Sequence, residues 1–252
     1  VLLISPGLGG RTNRKLKLPW VDDYDVLIGE AMVNRFRSQI EYLDFLRVRT
    51  TVDHIEPHED GYNVVLSDGK AYQTRTVLLT TGAVGEMLNV PGERELEMKG
   101  LCYSTTTYAP LFIDRIALVV GDGCQALRAV AELQKIASHV TLVAPTHGQL
   151  DIQLAKNLAA EPNVTILDCC EVVKIKGDDF VRSVEMQQGD EVSELHVDAV
   201  FIEKGLKPNS ELLADLGGGH RLVAEAQHRV AVVRSEERRV GKEWRSRWSP
   251  YH

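Results

Sequence analysis

Apolar positions recur along this chain in three rhythms, and each predicts a different element. Between Ile28 and Phe45 they fall at Met32, Val33, Phe36, Ile40 and Leu43, close to a 3.6-residue period, so a helix is predicted there. From position 47 to 80 the rhythm shortens to alternation. "RVRTTVDHIEP" and "GYNVVLSDGKAYQTRTVLLT" are rich in β-branched residues, and the Ser67-Asp68-Gly69 break reads as a turn, so a β-meander is predicted. Asp53-His54 and Pro57-His58 fall in what reads as a strand-edge turn, solvated rather than ligating. "VLLTTGA", Val77 to Ala83, is an apolar strand, and "NVPGE" after it is a turn with Pro91 and Gly92 that marks a domain boundary. The third rhythm is an unbroken apolar run, Ile116 to Val120, then a helical pattern over 124–137 and a second strand, Val140 to Val143. Beyond it come a helix from about Ile152 to Ala160, the strand "NVTILD" and paired strands through "EVVKIKG", "FVRSVEMQQ" and "ELHVDAVFIEKG". "GLKPNS", Gly205 to Ser210, reads as a return crossing between domains.

The third segment carries the first chemical signal. Gly121-Asp122-Gly123-Cys124-Gln125-Ala126 fits G-x-G-x-x-A at a strand-to-helix turn. Gly121 permits the tight turn, Gly123 lets the backbone approach a pyrophosphate, and Ala126 lets the helix pack on the sheet. The phosphates of a dinucleotide would sit at the helix N-terminus. The second strand ends in Ala144-Pro145-Thr146-His147-Gly148, where neither the acidic residue of an NAD site nor the arginine of an NADP site stands. His147 reads as an exposed loop residue, with contact to a phosphate as the alternative.

Composition narrows the classes. A net charge of −7 argues against a nucleic-acid partner. No apolar run approaches the roughly 18–20 residues that span a bilayer, so no membrane is expected, and no secretory signal is visible, so a cytoplasmic protein is expected. Cys102, Cys124, Cys169 and Cys170 form no C-x-x-C pair and read as small buried hydrophobes, the adjacent two pointing to opposite faces of a strand. The histidines show no metal-ligand spacing, so no metal is expected. The basic run from Arg11 to Lys17 reads as a solvated loop, with a role beside a cofactor pyrophosphate as the alternative. The start on "VLLIS" reads as truncated. From Arg234, "RSEERRVGKEWRSRWSPYH" has no structural period, and its Trp244 and Trp248 sit among basic residues. It resembles an adaptor-derived tail, and 234–252 is expected to lie outside the fold.

The order of these pieces resembles the low-molecular-weight thioredoxin reductase family of FAD/NAD(P) flavoproteins, over residues 1 to about 233. "GLGGRTNRKLKLPW" is similar to the family's FAD-contacting Gly-Gly-Gln loop, with Arg11 in place of Gln. "VLLTTGA" resembles its Ala-Thr-Gly-Ala hinge strand, and "NVPGE" its Ile-Pro-Gly-Glu turn. "VVGDGCQA" resembles Val-Gly-Gly-Gly-Asp-Ser-Ala, and "VDAVFIEKGLKPNS" resembles the family's return segment. The resemblance implies an α/β fold of two interleaved Rossmann-like, three-layer ββα domains, the first truncated. The FAD domain would be 1–95 plus 212–233, and the NAD(P)-binding-like domain 96–211. It implies FAD contacts at Gly9, Gly10, Arg11, Asn13, Val52, Thr80, Thr81, Gly82 and Gly205. It implies nucleotide contacts, for NAD(P)H, at Gly121, Asp122, Gly123, Cys124, Gln125 and Ala126. Laid over the family's Cys-Ala-Thr-Cys-Asp redox motif, "CYSTTTYAPLF" puts Ser104 and Thr107 at the cysteine positions and Tyr108 at the acid/base aspartate. A hydroxyl cannot perform disulfide exchange, which needs a thiolate attacking sulfur. The family's nicotinamide-phosphate motif, His-Arg-Arg, falls on Ala144-Pro145-Thr146.

Two classes of function follow. The first is an FAD-dependent oxidoreductase that moves electrons between NAD(P)H or another donor and an acceptor without a protein dithiol. Its acceptor would be a small redox protein of the ferredoxin, flavodoxin or thioredoxin type, or a small molecule. Some relatives without the cysteine pair are ferredoxin–NADP reductases, and the family is commonly homodimeric. The second is a redox-inactive FAD- or nucleotide-binding sensor or scaffold.

Overall fold

The computed structural model describes residues 1–13, 16–20, 27–42, 46–58, 61–212 and 230–232. The strands in the first half are β1 (Leu3–Ile4), β2 (Arg47–Val48), β3 (Val52–His58), β4 (Gly61–Leu66), β5 (Ala71–Thr74), β6 (Val77–Leu79), β7 (Ala83–Gly85), β8 (Leu101–Cys102) and β9 (Ile116–Val120). Those that follow are β10 (His139–Ala144), β11 (Val164–Asp168), β12 (Glu171–Gly177), β13 (Val181–Gln188), β14 (Glu191–His196), β15 (Ala199–Ile202), β16 (Leu206–Pro208) and β17 (Val230–Val232). The helices are α1 (Leu27–Glu41), α2 (Thr105–Tyr108), α3 (Cys124–Leu133) and α4 (Gln153–Ala159).

They gather into two units threaded by alternating segments. One is built from Val1–Gly7, Ile40–Val84 and the chain from Lys207; the other from Leu8–Gln39 and Gly85–Leu206. The segment Leu8–Gln39 groups with the second unit. Packing explains this. Leu16 and Leu18 are buried in the core of the second unit, and the Trp20 indole N–H donates to the Leu111 carbonyl at 2.9 Å. Trp20 also meets Phe112 edge-on, and the Arg115 guanidinium lies over its ring at 4.2 Å.

The second unit is organised by one parallel sheet in the order β11-β10-β9-β15-β8. Because side chains alternate across a strand, each central strand feeds two cores. Ala117 and Val119 of β9, with Ala199 and Phe201 of β15, pack on one face against α3 and α4. Leu118, Val120, Val200 and Ile202 pack on the other against Val172, Ile175, Val181, Val184 and Met186 of the antiparallel β12-β13-β14 sheet. The result is a helix layer, a parallel sheet and a second sheet, the expected three-layer α/β arrangement. Helix α3 buries Ala126, Leu127, Ala129, Val130 and Leu133, one stripe at helical spacing. It ends at Leu133 rather than at 137.

The predicted strand "ELHVDAVFIEKG" is two strands in different sheets, β14 and β15. The chain breaks at Asp198, whose carboxylate accepts the Ile116 N–H at 2.9 Å and whose own N–H donates to the Ile116 carbonyl at 2.8 Å. "NVPGE" is held by a carboxylate with no exposure at all. Glu93 accepts the N–H groups of Leu88 and Asn89 at 2.8 and 2.6 Å and the Tyr103 hydroxyl at 2.8 Å.

In the first unit the meander β3-β4-β5 is antiparallel and packs Ile55 and Tyr62 against Leu79. Strand β1 pairs in parallel with β2, and β17 with β6. Asp53-His54 and Pro57-His58 lie within β3 itself, not in a turn, because β4 pairs with β3 along its length. They remain largely exposed. In the predicted first helix Val33 is buried but Phe36 is 55% exposed, while Leu43 lies outside the described residues, as does the Met32 side chain. "VLLTTGA" is strand only to Leu79; Thr80 to Gly82 break it before β7, which pairs with β16 as the two crossing segments run side by side. The tail 234–252 lies outside the described residues. Among the described residues no helix is long and apolar enough to cross a membrane.

Candidate functional site

In the second unit, β8, β9, β10 and β11 all release the chain at the same edge of the sheet, where α/β folds hold their ligands. The turn after β9 carries the glycine motif. Gly121 is fully constrained: its φ is +152°, and a Cβ there would meet the Glu203 carbonyl at 2.7 Å and the Ala126 Cβ at 3.0 Å. Gly123 is the opposite case, with nothing within 4 Å of a Cβ placed on it. Gly123 also caps α3 and, as a glycine, brings no side-chain cap to the first turn of that helix. The first N–H groups of α3 therefore face the open space beside Gly123, the cradle a pyrophosphate requires. Cys124 and Gln125 are exposed beside it, and Ala126 is buried against Gly121.

The loop after β10 folds back onto this turn. The Gln149 N–H donates to the Asp122 carbonyl at 2.8 Å, and the Thr146 hydroxyl donates to the Asp122 carboxylate at 2.5 Å. His147 is not a free loop histidine. Its Nδ1 lies 2.5 Å from the Asp168 carboxylate and its Nε2 3.2 Å from that of Asp151. The Asp168 hydrogen bond, then Asp168's charge and the Asp151 bond, hold the imidazole above its usual range, while His147 holds Asp168 below the carboxylate range. Asp151 and Asp168 were not singled out in the sequence. The spacing of Asp151 four residues after His147 was the available signal; the Asp168 contact, from β11, left none.

The turn after β8 holds Ser104 and Thr107, the positions that the family resemblance lays over a cysteine pair. Ser104 stands at the N-cap of α2 and its Oγ lies 2.9 Å from the Thr107 Oγ1. The two positions therefore meet as a cysteine pair would, but as hydroxyls. Thr105 between them is 2% exposed, and both its N–H and its hydroxyl donate to Glu203 Oε1 at 2.7 Å. Glu203 was missed by sequence reasoning because it lies nearly a hundred positions downstream, at the end of β15. Cys102 is fully buried; burial, and secondarily the charge of Glu203, pushes its thiol far up, so it is a packing residue. Cys170 is buried too, whereas Cys124 and Cys169 are exposed, contrary to expectation. Cys169 lies in the turn after β11 with φ 52°, not on a strand.

The remaining candidate positions divide between the units. Gly9 and Gly10 lie at a 3-10 turn, Gly10–Asn13, in the second unit; the side chains of Arg11 and Asn13 lie outside the described residues. Gly205 is in the same unit, its carbonyl accepting the Glu86 N–H at 2.9 Å. Val52 opens β3 in the first unit, where Thr80, Thr81 and Gly82 follow β6. Thr81 and Gly82 are tied there to Asn209: the Thr81 hydroxyl donates to its carbonyl at 2.6 Å, its side-chain amide to the Thr81 carbonyl at 2.9 Å, and its N–H to the Gly82 carbonyl at 3.0 Å. Gly10 and Gly82 both leave open space where a Cβ would stand. Among the described residues no group of three or more His, Cys, Asp or Glu is placed to hold a metal.

The model of the pyridine nucleotide-disulphide oxidoreductase family matches residues 11–234. The chain is 35% identical over 159 residues to an NADH dehydrogenase of Bacillus subtilis, covering 62% of this chain and 31% of that protein. It is 32% identical over 220 residues to an alkyl hydroperoxide reductase component of Staphylococcus aureus, covering 84% of this chain and 43% of that protein. The chain thus spans less than half the length of these relatives. The crystal structure of thioredoxin reductase from Streptococcus pyogenes superposes with a TM-score of 0.71 over 89% of this chain and 77% of that one; at 24% identity the likeness is one of fold.

Proposed function

The chain belongs to the pyridine nucleotide-disulphide oxidoreductase family, and from that premise we propose that it serves an FAD-dependent oxidoreductase using a nicotinamide dinucleotide but no protein dithiol. The observation that carries this reading is the intact cradle: Gly121 packed against Glu203, Gly123 open, and the first turn of α3 without a side-chain cap. A protein that had abandoned its dinucleotide would have no physical need of open space at Gly123. The second unit, by this reading, is the nucleotide-binding domain, with Gly121 to Ala126 around the pyrophosphate. Gly9, Gly10, Arg11, Asn13, Val52, Thr80, Thr81, Gly82 and Gly205 are the proposed FAD contacts. The open backbone at Gly82, in the first unit, fits a cofactor edge. FAD, when bound, supplies the centre that takes a hydride and can pass electrons singly.

The hydroxyl pair Ser104 and Thr107 cannot exchange with a disulfide, so the acceptor is met elsewhere than at this turn. A ferredoxin- or flavodoxin-type protein, or a small molecule, fits such an enzyme. The name of the Bacillus subtilis relative, an NADH dehydrogenase, agrees with a dinucleotide donor. The same hydroxyl pair favours the second reading, a redox-inactive flavin- or nucleotide-binding sensor. Anaerobic titration of the FAD-loaded protein with NADH and NADPH separates the two. Bleaching of the flavin's visible band by either is expected; a flavin inert to both, and to every other donor tried, leaves the sensor.

A further inference from the structure

The acidic selector that an NAD site carries at the end of its second strand is absent from Ala144-Pro145-Thr146. We infer that the glycine loop itself supplies it: Asp122, aimed by Thr146, accepts the adenosine ribose diol, so that the site takes NADH in preference to NADPH. This rests on the proposal that the cradle binds a nicotinamide dinucleotide.

Asp122 sits between the two glycines, one residue beyond β9, and the loop after β10 fixes where its carboxylate goes. Thr146 Oγ1 holds Asp122 Oδ2 at 2.5 Å. Gly148 has φ +47°, and a Cβ on it would lie 2.2 Å from the Asp122 carbonyl, so the loop can close on Asp122 this tightly only with glycine there. The carboxylate is thereby held at Thr146, two residues beyond the end of β10. A carboxylate accepts several hydrogen bonds, and the other Asp122 oxygen has no partner among the described residues. It remains to accept from a ribose.

The same rim is hostile to a 2′-phosphate. Residues 144–155 contain no lysine or arginine. The one basic group of the loop, His147, is committed to Asp151 and Asp168. A phosphate placed here would meet the carboxylates of Asp122, Asp151 and Asp168 with a single, already paired imidazole to offset them.

Binding of ADP-ribose and of its 2′-phosphate to the full chain, by calorimetry, tests this without any redox step. The wild type is expected to favour ADP-ribose by about tenfold or more, the worth of a hydrogen bond to a charged group. Asp122→Asn should weaken ADP-ribose by about tenfold and narrow the preference. Thr146→Val should do the same to a smaller degree, and Thr146→Ser should restore it. A wild type that prefers the 2′-phosphate, or an Asp122→Asn protein with an unchanged ratio, overturns the inference and leaves the proposed function standing. A wild type that binds neither ligand removes the nucleotide site, and the inference falls with it.

Discussion

The turns at Gly121–Ala126 and Ser104–Thr107 are built alike and have fared differently. Each leads from a strand of the same parallel sheet into a helix N-terminus. At the first, the chemistry belongs to the backbone: N–H groups, a glycine pressed against Glu203 and a glycine facing open space. Side chains there can change, as Cys124 and Gln125 show, without closing the cradle. At the second, the chemistry needs sulfur. The two side-chain oxygens there lie 2.9 Å apart, and neither hydroxyl can perform disulfide exchange. A site read through the backbone tolerates sequence change that silences a site read through two side chains.

The largest expected effect divides the two glycines of the cradle. Gly121→Val forces a Cβ to 2.7 Å from a backbone carbonyl at a φ that side chains rarely adopt, and should cost about 2–4 kcal/mol in urea unfolding. In Gly123→Val the new Cβ meets nothing within 4 Å, and stability should change by less than about 1 kcal/mol. The substitution should nonetheless weaken ADP-ribose binding by about tenfold or more, because the phosphates lose their close approach. Equal stability losses at the two glycines would dissolve the distinction between a packed and an open position.

Glu203 ties the turns together. Its carbonyl abuts Gly121, and its carboxylate receives both donors of Thr105. Glu203→Ala leaves a buried N–H and hydroxyl unpaired and should cost about 1–3 kcal/mol. Glu203→Gln keeps an acceptor and should recover much of that. A Glu203→Ala protein as stable as the wild type would mean that water replaces the carboxylate and that the turns are independent.

A dithiol can be placed in the turn after β8. In Ser104→Cys/Thr107→Cys, mild oxidation should remove two thiols that reappear on reduction, since the side chains already meet across one turn. Native Cys102 should stay unreactive until unfolding, being fully buried with its thiol pushed far up. A double variant whose thiols stay free under oxidant would show that more than the two sulfurs has been lost.

This contrast also explains what was legible in the sequence. The parallel-sheet core could be read because Ile116–Val120 is apolar without interruption and sits one turn from a helical pattern. The glycine motif could be read because its residue types are dictated by steric limits. The pairing of Ser104 with Thr107 followed from the family resemblance alone. Contacts made by fold closure left little local trace: Glu203 on Thr105, Asp168 on His147, and Leu16 and Leu18 in the core of the second unit. The split between β14 and β15 was hidden for a similar reason, because "ELHVDAVFIEKG" keeps its apolar character while Asp198 turns the chain toward Ile116.

The smallest effect tests the rim of the cradle rather than its floor. His147 is raised above its ordinary value of about 6.5, so its pairing stabilises the fold fully below that pH and is lost as pH rises through the raised value. Asp168 is lowered, so its share is present above the ordinary carboxylate value of about 3.9 and is lost as pH falls through the depressed one. The pair therefore works in the window between those limits. His147→Ala should reduce stability at mildly acidic pH more than at alkaline pH, and added salt should shrink the difference because the groups are largely exposed. In NMR titration, Asp168→Asn should move the His147 midpoint down toward its ordinary value, and Asp151→Asn should move it less, since Asp168 makes the shorter bond and the larger contribution. An unmoved midpoint in the Asp168 variant would release His147 from its carboxylates. The imidazole would then be free to meet a 2′-phosphate, and the preference assigned to Asp122 would lose its second support.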